Sequence, residues 1–208
     1  MNETIHLTLI TLSSLLPVTN PLGNAAIFLS LTKTDSTYER RALAIRAAAY
    51  MFIILGVCLF AGNALLHFFG LSLEGIRIAG GILIMKYGFD QLEPKRGKTH
   101  TDEEHAEAKK KMDISFSPLA MPLLAGPGAI AAVMSTSSLM SSPSVLNYSG
   151  ICIGLIITCL VCWIVLRESE NLMKFLGING ANALTKVMGF ILLCMGVQLT
   201  IDGIKSLM

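Results

Sequence analysis

Four stretches of the chain, 5–31, 47–69, 114–140 and 147–166, each run the length of a bilayer crossing without one Asp, Glu, Lys or Arg. Two more, 71–92 and 184–207, reach that length with a few charges toward their ends. About 20 residues of helix cross the roughly 30 Å of hydrocarbon in a bilayer, and helices satisfy their own backbone hydrogen bonds there. The expected fold is therefore all-α: a polytopic membrane protein of six transmembrane helices. Composition agrees, since 53% of residues are hydrophobic and 14% charged, against a globular average near half and a quarter. Twelve of the charges crowd into 93–113. A soluble single domain is excluded. A net charge of +2, spread between apolar spans, also argues against a nucleic-acid partner.

Six crossings put both ends of the chain on one side. Lys and Arg near short loops are retained in the cytoplasm. With the N-terminus outside, the loops at 32–46, 93–113 and 167–183 and the adjoining helix ends hold fourteen of the sixteen basic residues, leaving Arg77 and Lys205 for the other face. The reading is N-terminus and C-terminus both outside, opposite the cytoplasm. Met1–Thr4 has no basic residue, so the first apolar segment is expected to stay in the mature chain. Cys58, Cys152, Cys159, Cys162 and Cys194 all lie in apolar runs and read as packing residues.

The chain divides into a three-helix unit at 1–92, a charged cytoplasmic linker at 93–113 and a second three-helix unit at 114–208. An offset of 105 places Pro17 on Pro122, Gly23 on Gly128, Ala26 on Ala131 and Ser30 on Ser135. An offset of 108 places Gly81 on Gly189 and Gly88 on Gly196. Because three spans is an odd number, the second unit enters the membrane from the opposite face. The pattern is that of an inverted repeat, a transporter architecture.

The chemistry lies in the first and fourth spans. Leu16-Pro17-Val18-Thr19-Asn20-Pro21-Leu22-Gly23-Asn24 and Met121-Pro122-Leu123-Leu124-Ala125-Gly126-Pro127-Gly128-Ala129 set prolines and glycines inside apolar helices. Proline removes an amide donor and clashes with the preceding turn, and it pushes the residue before it toward extended geometry. Both helices are expected to break. Unwound backbone at membrane depth must be buried in protein or line a cavity, so the two breaks should meet. Helix starts near Gly23 and Gly128 would offer free amides to a carboxylate. Carbonyls near Pro17 and Pro122, with Thr19 and the Asn20 side chain, would take an ammonium. Such a site, small-walled at Ala125 and free of formal charge, suits a small zwitterion. The expected binding set is Thr19, Asn20, Pro21, Gly23, Asn24, Ala125, Gly126, Pro127 and Gly128.

Other residues carry less. Cys159-x-x-Cys162 suggests a membrane thiol redox carrier, but neither break contains a cysteine. His6, His67, His100 and His105 show no metal-ligand spacing, and no nucleophile, zinc or phosphate-loop motif is present. No metal, no cofactor and no enzymatic activity are expected. Asp90, on the same offset as Gln198, is the acid to test for proton coupling.

Asn20-Pro21-Leu22-Gly23-Asn24, together with Pro118 through Ile130, resembles the MarC family of bacterial inner-membrane proteins, and the resemblance covers nearly the whole chain. It implies six helices with the first and fourth broken around a central site. It also implies transport of small neutral amino acids such as glycine and alanine, with Asn20, Pro21, Gly23, Asn24, Gly126, Pro127 and Gly128 at the binding positions. An exporter of another small solute is the nearest alternative. The expected partners are the lipid bilayer and the substrate; a homo-oligomer is open.

Overall fold

The computed structural model describes residues 2–92, 114–137, 140 and 144–207, and within them every regular element is helical. The linker read at 93–113 lies outside the described residues. In chain order the helices are α1 (Asn2–Thr19), α2 (Pro21–Leu31), α3 (Thr37–Phe69), α4 (Leu73–Leu92), α5 (Ser115–Leu124), α6 (Pro127–Ser137), α7 (Val145–Arg167) and α8 (Ser169–Lys205). Among the described residues, four stretches are long and apolar enough to cross a membrane: Glu3–Leu31, Thr37–Gly62, Val145–Arg167 and Asn179–Lys205. The expected third and fourth spans fall short of that standard. Four charges interrupt α4, and the break divides the fourth span into α5 and α6.

Two expected loops are largely helix. In the expected connection 32–46, α3 already starts at Thr37 because Ser36 and Glu39 cap it reciprocally. The Glu39 amide donates to Ser36 Oγ at 3.3 Å, and the Ser36 amide donates to Glu39 Oε2 at 2.8 Å. Residues 167–183 belong mostly to α8, which bends at Gly177, where φ is 63°. Glu39, Arg40, Arg41, Arg46, Glu170 and Lys174 sit on these helix extensions, where Arg40 Nη1 on α3 donates to Glu170 Oε2 on α8 at 2.9 Å.

Leu7, Leu15, Phe28, Met51, Leu55, Leu119, Leu124, Val133, Ile151 and Leu155 form one buried core drawn from α1, α2, α3, α5, α6 and α7. Phe52, Ile53, Val57, Phe60, Ile153, Ile156 and Leu160 are exposed on the outer faces of α3 and α7, as lipid-facing helices require. Helices α4 and α8 join antiparallel through glycines. A Cβ on Gly81 would lie 2.6 Å from the Gly196 carbonyl oxygen, and one on Gly88 would lie 2.8 Å from that of Gly189. The same small-residue packing seats α7 on α1, where a Cβ on Gly150 would lie 2.6 Å from the Thr4 carbonyl oxygen.

Candidate functional site

Both expected breaks are present, each set by proline. In the first, the helix passes through Pro17 and stops at Asn20, the described non-glycine residue with positive φ (φ 37°, ψ 62°). Pro21 then starts α2, where its missing amide leaves no helical bond unmade. The break thus comes three residues later than Pro17 suggested. In the second, Ser117 (φ −130°, ψ 124°) and Met121 (φ −131°, ψ 123°) are extended. Each directly precedes a proline, the position where the ring disfavours helical geometry. The turn across each widens: the Leu119 amide reaches the Ile114 carbonyl at 3.3 Å and the Ala125 amide that of Ala120 at 2.8 Å. Pro127 then starts α6, just after Gly126, whose carbonyl accepts the Ile130 amide at 3.0 Å.

The two breaks touch. Asn24, buried on the first turn of α2, donates from Nδ2 to the Thr19 carbonyl at 2.8 Å and to the Leu123 carbonyl at 3.3 Å. One carboxamide therefore serves carbonyls on both broken segments. Beside it lies a cavity of about 360 Å³ walled by Val18, Asn20, Asn24, Ile27, Tyr87, Asp90, Gln91, Leu123, Gly126, Gly128, Ala129 and Leu192. Of the residues chosen from sequence, Asn20, Asn24, Gly126 and Gly128 line it, and Asp90 joins them from the end of α4.

The remaining candidates are placed elsewhere. Thr19 is fully buried, donates its hydroxyl to the Leu16 carbonyl at 3.2 Å and accepts from Cys162 Sγ at 3.7 Å, so it faces α7. Pro21, Gly23, Ala125 and Pro127 are not among the lining residues. The Gly23 amide, expected to be free for a carboxylate, donates to Asn20 Oδ1 at 3.1 Å, while Asn24 N donates to the Asn20 carbonyl at 3.0 Å. Asn20 is a helix cap as well as a wall residue, and a capping side chain takes the amides that a helix start would otherwise present. The carbonyls expected for an ammonium are engaged too: those of Leu16 and Pro17 accept the Asn20 amide at 3.2 and 3.1 Å.

The cavity also departs from the expectation of no formal charge, because the exposed Asp90 carboxylate stands in its wall. Tyr87 and Gln91 were missed from sequence. Tyr87 is the helical neighbour of both Asp90 and Gln91, three residues before Asp90 and four before Gln91, and that spacing was the signal available. The Gln91 side-chain oxygen is buried and has no hydrogen-bond partner. The wall thus combines two carboxamides, a phenol, an unpaired amide oxygen and one carboxylate around a small space. Among the described residues no group of His, Cys, Asp and Glu is arranged to hold a metal.

A family model described as MarC family integral membrane protein matches residues 5–208. A UPF0056 membrane protein of Buchnera aphidicola subsp. Schizaphis graminum is 38% identical over 194 residues, covering 93% of this chain and 90% of its own. The UPF0056 inner membrane protein MarC of Escherichia coli O1:K1 is 36% identical over 202 residues, with 93% and 91% covered, and that of strain K12 is 35% identical over the same length. No solved structure matches the chain. With a family match across almost its full length, relatives named as inner-membrane proteins and apolar helices long enough to span, the chain belongs to the MarC family and is a multi-pass inner-membrane protein.

Proposed function

We propose that the protein transports small neutral amino acids of the glycine and alanine class, by alternating access of two inverted three-helix units, with the substrate held where the first and fourth spans break. The observation that carries this reading is the Asn24 bridge beside a 360 Å³ cavity lined from both breaks. A cavity of that size at the small end of ligand sites, with one carboxylate for an ammonium and the first-turn amides of α6 near Gly128 for a carboxylate, suits a zwitterion with little side chain. Asp90 supplies the ammonium contact that the main-chain carbonyls were expected to make, and it is the acid to test for proton coupling.

The glycine contacts support the inversion. Under the offset of 108, Gly81 corresponds to Gly189 and Gly88 to Gly196. The contact of Gly81 with Gly196 therefore maps onto that of Gly189 with Gly88, as a two-fold axis between α4 and α8 requires. Both termini are assigned to the periplasm from the distribution of Lys and Arg.

Uptake of radiolabelled glycine and alanine into proteoliposomes tests the reading. Asn20→Ala and Gly126→Leu should abolish uptake while the purified variants keep their helical signal and monodispersity. Unchanged uptake in both would remove the site assignment. A thermal-shift screen against the twenty amino acids should show stabilisation by the substrate alone, since a ligand raises stability with occupancy; stabilisation by a different small solute would favour the exporter reading.

A further inference from the structure

At the opposite end of the α4–α8 pair lies a second cavity, of about 280 Å³, that no motif in the sequence marked. Its walls repeat those of the first under the same offset of 108. Ile84 here takes the place of Leu192 there, Gln198 that of Asp90, and Leu199 that of Gln91. Because α4 and α8 are antiparallel, with Gly88 beside Gly189 and Gly203 beside the Glu74 carbonyl, the two cavities sit toward opposite ends of the helix pair. Between them the packing is tight at Gly128. Val18 lines both cavities, and a Cβ added to Gly128 would lie 2.7 Å from Ile84 and 3.3 Å from Val18.

The chemistry is duplicated with a shift. Gln198 occupies the position of Asp90 but is not an acid; its Nε2 donates to Asp202 Oδ1 at 2.9 Å, which brings a carboxylate into the wall one turn further on. The opposite wall carries the hydroxyls of Ser135 and Thr136. Arg77 Nε donates to Ser135 Oγ at 3.0 Å, placing a guanidinium behind that hydroxyl. A carboxylate on one wall and an arginine-backed hydroxyl on the other are complementary to an ammonium and a carboxylate a few bonds apart.

We propose that this second cavity is the opposite-side binding position of the same pathway, taking a small zwitterionic amino acid by its ammonium at Asp202 and its carboxylate at Ser135, with Val18, Ile84 and Gly128 as the plug between the two positions. The proposal rests on the transport reading above and adds a site to it.

Single cysteines introduced into a cysteine-free full-length chain test it, at Ser14 or Ala132 for the second cavity and at Ile27 for the first. Each is labelled with a charged, membrane-impermeant thiol reagent in spheroplasts and in inverted membrane vesicles, with and without glycine. The expected result is labelling of the Ser14→Cys or Ala132→Cys variant from one side and Ile27→Cys from the other, with glycine slowing both. Labelling of both cavities from the same side, or no labelling of either second-cavity variant, overturns the proposal. If glycine slows Ile27→Cys alone, this cavity is off the pathway and only this proposal fails. If glycine slows neither and uptake is also absent, the transport reading itself fails. In addition, Asp202→Asn should raise the half-saturating glycine concentration about tenfold for transport from that side only, with Asp202→Glu restoring part of it; equal effects from both sides count against a one-sided site.

Discussion

The side-chain amide of Asn24 and the main-chain carbonyl of Leu123, 99 residues apart in the chain, are joined at 3.3 Å. The same amide also holds the Thr19 carbonyl at 2.8 Å. A single buried donor group thus ties the broken part of the first span to the broken part of the fourth, and its loss leaves two carbonyls short of a partner.

Asn24→Ala should therefore destabilise the protein by about 1–3 kcal/mol, the range for buried groups left unsatisfied. Asn24→Asp should do at least as much, because an ionised carboxylate only accepts and would face two carbonyl oxygens. Thermal unfolding in detergent measures this. A melting temperature unchanged in both variants would show that the bridge is not made in the folded protein.

The left-handed conformation of Asn20 predicts an order among substitutions. Asn20→Gly keeps the permitted φ of 37° and should cost a few tenths of a kcal/mol as a cap replacement. Asn20→Ala should cost roughly 1–2 kcal/mol, and Asn20→Val more, since a branched Cβ is poorly tolerated at positive φ. Melting temperatures in the order Gly, Ala, Val check the geometry of the first break, whatever the substrate proves to be.

Glycines divide into those that a side chain would damage and those it would help. Gly81→Ala places a Cβ against the Gly196 carbonyl at 2.6 Å and should reduce the yield of folded protein. Gly56, in the middle of α3, has nothing within 4 Å of that position. Gly56→Ala should leave uptake intact and stabilise by roughly 0.5–1 kcal/mol through the better helix former. A loss of stability there would mean that a surface packs on α3 that the single chain does not contain.

Replacing all five cysteines by Ala or Ser should leave glycine uptake within about twofold of the parent. Cys162 is fully buried and its Sγ meets Thr19 Oγ1, away from the cavity wall. Abolished uptake, with the chain still folded and only Cys159 or Cys162 able to restore it, would instead favour a thiol carrier.

Glu170 gives a pH dependence of definite sign. Hydrogen bonding to Lys174, then the charges of Lys174 and Arg40, hold its carboxyl below the ordinary value of 4.5. Because the folded-state value is the lower one, its contribution is present above about pH 4.5 and disappears as pH falls through the folded value. The group is exposed, so the effect is small and screened by salt. Glu170→Gln should lower the neutral plateau slightly and leave the acid end unchanged, which flattens the acid limb of the stability curve, as followed by thermal melts between pH 3 and 7.

The hydrophobic runs, the two proline breaks and their inward placement followed from residue types alone, because proline geometry and the cost of unpaired backbone in lipid are local or general facts that need no partner. The α7 boundaries show the same: 147–166 was expected and Val145–Arg167 is observed. Helix extensions at 37–46 and 169–183 were hidden by their charges, since polarity marks the end of the lipid phase and not the end of a helix.

Where the polar groups of the breaks point was decided only in three dimensions. The Gly23 amide had a choice between a ligand and the Asn20 side chain, and the rotamer and φ of Asn20 settle it in favour of the cap. Thr19 faces Cys162, and Asn24 faces Leu123, because α7 and α5 pack on those sides. Asp90 and Gln91 reach the cavity because glycines let α4 lie directly on α8. Such outcomes depend on contacts between segments a hundred residues apart, and a one-dimensional pattern records the groups available for hydrogen bonding without recording which neighbour claims them first.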